Sequence, residues 1–496
     1  MIDGPGRLNM VSGRADLNNG GNTFGGVTQT GGELVVGASS TGPANSPTAS
    51  PVGLGTLSLQ GGTFRASTGS TRTIANNLGL DGPFSLGANG VNSSLVLTGN
   101  ATVGAVRTIT TNITDPAFTQ TLSGQISGAG GITKAGAGVL VLSGQSNYSG
   151  GTIVSAGTLR LTTDNALLST GALTVGSGTT VGVLDLSNAN LTVGAFNVSS
   201  NNVSANTITI GSGKALNVGG NFTIGITGVG QQTHAVFNGG GALNLTGAGS
   251  TAEFGLKNSD QNATESVSTT SLAELGSFTT NITNFRVGHD SRIRSTLTLS
   301  DTSNSIVATT ISVGNSLNNN GSPVVVNLGA GTNQLFATTI EAGLGKGTGT
   351  IKFANSAGSV DIRGKTGGSS TANITLGFHN NISTAANVVG TLDFRGHATA
   401  IQAGTVVLGN TNQTGAGSST GTIHFDTGTF TATTINMGVK SNTGTGGATG
   451  NLNINGGTFT ATTVNMTTNT ASVSGNSSAN LNITGGTSNI TTLKVG

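Results

Sequence analysis

Side chains able to do chemistry are sparse in this chain of 496 residues, of which only 7% are charged. Most of the candidates fall together when the segments GTIKF, GTLDF, GTIHF, GNLNI and ANLNI are threaded onto one another. Lys352, Asp393, His424, Asn453 and Asn482 then share an outward position between two apolar neighbours. Arg395 and Asp426, two residues further on, share a second outward position. Phe353, Phe394 and Phe425 fall between the two columns and are expected to face inward as a stacked aromatic ladder. Adjacent strands lie roughly 4.8 Å apart, which puts Asp393 and His424 within reach of a hydrogen bond. Two carboxylates, an imidazole and two cations on one face have the makings of a polysaccharide-binding or polysaccharide-cleaving groove. The plainer reading is a solvated ladder of opposite charges and asparagines, each pair worth roughly a few tenths of a kcal/mol. That reading is preferred, and no catalytic, cofactor-binding or metal-binding residue is assigned.

Two shorter motifs carry less. Gly417-Ser418-Ser419-Thr420-Gly421 fits GxSxG, but no helix pattern follows it, as a nucleophile elbow requires. Gly364-Lys365-Thr366 has the end of a phosphate-binding loop, yet Ser359 stands where the first glycine belongs and no helix follows.

The polar column depends on strands, and the sequence spaces them evenly. Strand-like segments begin at Thr422, Asn451 and Asn480, 29 residues apart each time. Each turn of this repeat offers three apolar pairs, for example Leu452 and Ile454, Phe459 and Ala461, Val464 and Met466. Within a pair the spacing is two, as one face of a strand demands. Between Ala461 and Val464 it is three, so the parity flips at Thr462-Thr463 and marks a corner or bulge. Three short faces per turn predict triangular coils. The same frame recurs in ATTI at Ala308 and Ala337.

The chain's most ordered pattern lies earlier, from Leu122 to Leu161. Apolar bursts at Leu140 and Leu142, Ile153 and Val154, and Leu159 and Leu161 are separated by glycine pairs or triples. Each burst is too short for a helix and alternates at period two. Strands this short cannot bury a face alone and must stack on near-copies of themselves. The run Gly128, Gly130, Gly131, Ile132, Thr133, Lys134, Gly136, Gly138, Leu140, Leu142, Ser143 and Gly144 continues through Asn147, Tyr148, Gly150, Gly151, Thr152, Val154, Gly157, Leu159 and Leu161. This block resembles the autotransporter-associated β-strand repeat of bacterial passenger domains. A second, degraded copy is read at the N-terminus, with Gly4, Gly6, Leu8 and Met10 matched to Gly136, Gly138, Leu140 and Leu142. Gly32, Leu34 and Val36 are matched in the same way to Gly157, Leu159 and Leu161. The resemblance implies an all-β fold, a right-handed single-stranded parallel β-helix, exported through the outer membrane by a C-terminal β-barrel.

Composition agrees with a solenoid, whose core grows with the number of repeats. The 34% of hydrophobic residues recur in register, unlike a disordered chain. The net charge of +2 comes from scattered residues, which makes nucleic acid an unsuitable partner. There is no cysteine, hence no disulfide framework, and no apolar run approaches a membrane helix. No signal peptide is legible after Met1, and the chain opens and stops within repeats, so it is read as an internal stretch of a longer exported protein. Three regions are expected: 1–205, passenger-repeat β-helix; 206–294, a less regular and more charged part with a protruding insertion; 295–496, coils of about 29 residues. Within the second, Ser271 to Leu275 is given one helical turn. The expected function is that of a non-catalytic, surface-displayed or secreted passenger, a rod-like adhesin or cell-surface scaffold. Its partner would be a surface ligand, with a glycan or a host or neighbouring cell surface as the candidates, and no cofactor is expected.

Overall fold

Leucine, valine and isoleucine at alternate positions, closed off every few residues by glycine, leave the chain little choice but short strands that bury one face. The structure, a computed structural model, describes all residues except 168–170, 229, 256–263, 290–291, 317–321, 381–385, 442 and 469–475. Among the described residues every named element is a strand, and the pairings between strands are parallel. The fold is a parallel β-helix. The chain divides into two compact units, one of Met1–Ser200 with Ser204–Val218 and one of Asn201–Val203 with Gly219–Gly496.

In the first unit three sheets form the three faces of the coil. Leu8–Met10, Val27–Gln29, Leu57–Leu59, Leu78–Leu80, Ala101–Val103 and Ile126–Ser127 make one. A second stacks Thr71–Ile74, Ser94–Leu97, Gln120–Leu122, Val139–Leu142, Gly157–Leu161, Gly182–Leu186 and Asn206–Ile210. The third includes Arg107–Thr111, Ile132–Ala135, Thr152–Val154 and Ala172–Val175. The block from Leu122 to Leu161 therefore winds round all three faces, with Leu140, Leu159 and Leu161 wholly buried. Its tyrosine, Tyr148, is buried at a corner, where its hydroxyl and that of Thr152 are 2.5 Å apart.

The N-terminal copy does not occupy the equivalent faces. Leu8–Met10 pairs with Val27–Gln29 in the first sheet, whereas Val139–Leu142 pairs with Gly157–Leu161 in the second. Glu33–Val36, matched to Gly157–Leu161 by its residues, stands in the third sheet. Glycine before a leucine pair serves every corner of such a coil, so residue types alone do not tell one corner from another. Residues 42–51, with three of the seven prolines, leave the coil: Thr41 and Ala49 form an antiparallel bridge at the base of an excursion, with Asn45 at φ 71°.

Close stacking at corners explains the glycine demand. Gly157 has φ 64°, and a Cβ there would lie 2.3 Å from the carbonyl oxygen of Gly136 in the coil beside it. Both the left-handed backbone and the missing side chain are needed. Gly157→Ala is expected to cost more than about 2 kcal/mol and to appear as a drop in the thermal midpoint. Gly213→Ala is the comparison: its φ of 74° is as strained, but its Cβ would meet nothing within 4 Å.

In the second unit one sheet runs Gln232–Asn238, Ser266–Ser271, Ile293–Thr298, Pro323–Leu328, Thr348–Phe353, Val388–Asp393, Ser419–Phe425, Ala448–Ile454 and Ser477–Ile483. The other two faces run into one another, because single strands such as Ser303–Ser316, Ala398–Thr411 and Gly428–Lys440 bend round the corner. The parity flip is that bend. Ala432 pairs with Ala461 and Thr434 with Thr463, and Val464 then returns to the core after two outward threonines. The 29-residue register holds at Asn304↔Asn333 and Ala308↔Ala337 and again from His424↔Asn453 to Asn451↔Asn480, while the coils between are longer or shorter, as at Lys352↔Asp393 and Asp393↔His424.

The charged stretch from Thr251 to Arg294 keeps to the coil where it is described. Thr251–Phe254, Ser266–Ser271, Ser277–His289 and Ile293–Thr298 are strands, with Phe254 within 5.4 Å of both Phe222 and Phe285 in the core. Glu253 pairs with Arg286 and Glu265 with Arg294 across neighbouring coils. The charged residues Lys257, Asp260 and Asp290 lie outside the described residues. Ser271 to Leu275 forms no helical turn: Leu275 donates to the Leu272 carbonyl in a tight turn between two strands. Three residues are too few to fix helical dihedrals against a committed strand on either side.

Candidate functional site

The outward column exists as threaded, and the strands that build it are in register. Lys352 is the partner of Asp393, Asp393 of His424, His424 of Asn453 and Asn453 of Asn482. Asp393, His424 and Asn453 each lie between buried neighbours, such as Ile423 and Phe425 around His424. The alternation of the strand thus turns the column to solvent.

Its hydrogen bonds divide it into two parts. On the asparagine side, the Asn482 amide donates to Asn453 Oδ1 at 2.8 Å, and Asn453 Nδ2 lies 3.3 Å from His424 Nδ1. The same pattern links Asn480 to Asn451 and Thr484 to Asn455. On the charged side, Arg395 donates from Nε and Nη2 to the two oxygens of Asp393, at 2.8 and 2.5 Å. That fork holds the Asp393 carboxyl below the usual carboxylate range, and it occupies the oxygens that would otherwise meet His424. Burial holds His424 below the ordinary imidazole value; Arg395 adds to this and Asp393 opposes it. Asp426 accepts from the Gly396 backbone amide with both oxygens, at 3.0 and 2.8 Å, and so fastens the turn after Arg395.

The aromatic ladder is only partly there. Phe394 and Phe425 are fully buried, but Phe353 is half-buried and lies flat against His397, centroid to centroid 3.6 Å and 8° from parallel. Phe353 is the last residue of its strand, and the pairing with the next coil stops one residue before it, at Lys352↔Asp393. Beyond that point period two no longer dictates its direction. Lys352, Phe353, Asp393, Arg395 and His397 together line a surface depression of about 360 Å³. Three of the five column residues therefore converge, while His424 and Asp426 stand apart from the lining. His397 was not singled out by its sequence, because no spacing relates it to the column.

The two short motifs are structural. Ser419 is wholly buried, with its hydroxyl 2.7 Å from that of Thr411, and Lys365 donates to the Thr309 hydroxyl at 2.8 Å.

Two buried lysines went unread in the sequence. Lys134, from the repeat block, has no exposed surface, and its ammonium donates to the carbonyls of Ala135, Gly136 and Ala156 at 2.7 to 2.9 Å. Burial pulls its pKa down to about 7. Lys440 is buried likewise and donates to Gly444 and Gly446. In both places an amine gathers the carbonyls of a turn that strand pairing leaves unsatisfied.

A stack of parallel coils with glycine corners and few ionisable groups defines a β-solenoid scaffold. Comparison with known proteins carries this further. Residues 132–161 match the profile of the Passenger-associated-transport-repeat family, over the strands that hold Lys134 and Gly157 and the corner that holds Tyr148. Over 205 residues, 40% of this chain, it is 35% identical to a protein named Adhesin BmaC autotransporter, from Brucella suis biovar 1 (strain 1330). The chain spans about 6% of that relative's length. No solved structure matches it. These two likenesses support an autotransporter passenger with repeats, placed extracellularly or at the outer-membrane surface. Among the described residues no helix is long and apolar enough to cross a membrane.

Proposed function

We propose that this passenger works by contact, as a non-catalytic adhesin or cell-surface scaffold. The observation that carries the reading is the employment of its carboxylates. Asp393 is held ionised by a two-bond fork from Arg395, and Asp426 is bound to a backbone amide. Asp393, tied to Arg395, is not placed to give a proton to a glycosidic oxygen, as cleavage by paired carboxylates demands, and Asp426 lies outside the depression. The adhesin named among its relatives supports the same reading. A second reading, a polysaccharide-binding face, is favoured by the depression that joins Lys352, Asp393 and Arg395.

The test is to display the chain on a non-adherent bacterium and count attachment to animal-cell monolayers and to neighbouring bacteria. A several-fold rise over a strain displaying an unrelated β-helix is expected. Unchanged attachment, or release of oligosaccharide products from acidic polysaccharides by the purified chain, contradicts the proposal.

A further inference from the structure

The depression on the charged side of the column has the parts of a binding site for a particular chemistry. Its rim carries two cations and one carboxylate, Lys352, Arg395 and Asp393. Both oxygens of Asp393 are already engaged by Nε and Nη2 of Arg395. Lys352 is exposed and, among the described residues, makes no ion pair, although its strand partner is Asp393. On its other side the column offers only the neutral Asn327. The three lining charges sum to one positive charge, with Asp426 acting on Arg395 from outside the lining, and the exposed Lys352 ammonium is the cation left to meet an incoming anion.

Phe353 is the one apolar side chain of the lining. Phe353 lies parallel to His397 at 3.6 Å and edge-on to Phe394 at 6.2 Å, which holds its ring in one orientation. A flat ring held in place beside a polar rim suits the C–H face of a pyranose, while the rim takes up its charged or hydroxyl groups. His397 covers one face of the Phe353 ring. It is only 7% exposed, and its Nδ1 is buried without a hydrogen-bond partner, which native interiors seldom leave so. About 360 Å³ accommodates one sugar residue rather than a long chain.

We infer that this depression binds an acidic sugar residue, its carboxylate held between Lys352 and Arg395 and its ring lying on Phe353. The inference rests on the contact reading above only for its biological use, since the site is defined by its own geometry. Binding is weak for one residue and gains from repetition of the acidic sugar along a polymer.

The experiment is calorimetric titration of the purified chain with trigalacturonate, its fully methyl-esterified form, and sodium acetate. Trigalacturonate is expected to bind, the ester at least tenfold more weakly, and acetate not measurably at equal concentration. Lys352→Ala is expected to weaken trigalacturonate binding at least fivefold and Lys352→Glu to abolish it. Lys352 is exposed and unpaired, so both variants keep the fold, which their far-ultraviolet circular dichroism checks. Saturation-transfer NMR is expected to place the sugar ring protons against an aromatic side chain, with the effect lost in Phe353→Ala. Equal binding of the ester, binding of acetate as strong as that of the sugar, or wild-type affinity in Lys352→Glu overturns the inference. Attachment of displaying cells, measured in parallel, separates the two proposals. Sugar binding without attachment removes the adhesin reading alone, and attachment unchanged by Lys352→Glu in the absence of sugar binding removes only this site.

Discussion

Ile454→Asp is expected to cost about 3–5 kcal/mol, while Asn453→Asp one residue away changes stability by no more than about 0.5 kcal/mol. Ile454 is wholly buried and stacks in register between Phe425 and Ile483, so a carboxylate there either loses its hydration or takes up a proton. Asn453 faces outward in the polar column, where a carboxylate keeps the hydrogen bond that Asn482 donates. It also sets a negative charge beside His424. The imidazole, held below its ordinary value by burial, should then rise. Denaturant unfolding reads the first effect and NMR titration of His424 the second. Equal destabilisation by both substitutions, or a His424 that does not respond, would mean that the column is misassigned.

Lys134→Met is expected to destabilise the repeat coil by about 2–4 kcal/mol at neutral pH, because three turn carbonyls lose their donor. The wild-type lysine also makes stability depend on pH, with a definite sign. Its folded pKa is about 7, against roughly 10.4 in an unfolded chain. Between those values the unfolded state binds more protons, so stability rises with pH across the window, by up to about 1.4 kcal/mol per pH unit. Below pH 7 the lysine is charged in both states, and its burial is opposed throughout. Hydrogen exchange of the strands Ile132–Ala135 and Thr152–Val154, followed from pH 6 to 9, should show this slope in the wild type and not in Lys134→Met. A slope that survives the substitution assigns the pH dependence to another group.

These two substitutions mark where the sequence could be read and where it could not. Ile454 was placed by arithmetic: a 29-residue spacing and a two-residue alternation fix both face and coil, because parallel strands in register repeat their pattern at the coil length. The outward column followed instead from threading like segments, since its steps are 41, 31, 29 and 29 residues. Phe353 did not, since it sits at the end of its strand, where the alternation stops constraining direction. Lys134 looks like one more polar residue of a threonine-rich strand. Its burial depends on the carbonyls of two turns, 2 and 22 residues away, meeting at one point. The N-terminal copy failed for a related reason: glycine and leucine recur at every corner, and only strand pairing says which corner is which. His397 entered the depression through stacking on Phe353, a contact that no periodicity encodes.

The register around the candidate site can be tested by disulfide trapping, because the chain has no cysteine of its own. Thr391 and Thr422 are outward-facing partners on neighbouring strands, 31 residues apart, within the strands that carry Asp393 and His424. A strict 29-residue repeat would instead pair Thr391 with Thr420. The account predicts that the double variant Thr391→Cys/Thr422→Cys oxidises readily, since in-register strands bring Cα atoms to about 5 Å, within disulfide range. Thr391→Cys/Thr420→Cys should remain reduced under the same conditions. Rapid oxidation of the second pair, with the first left reduced, would displace the coil by two residues, and Asp393, His424 and the depression beside them would no longer stand together.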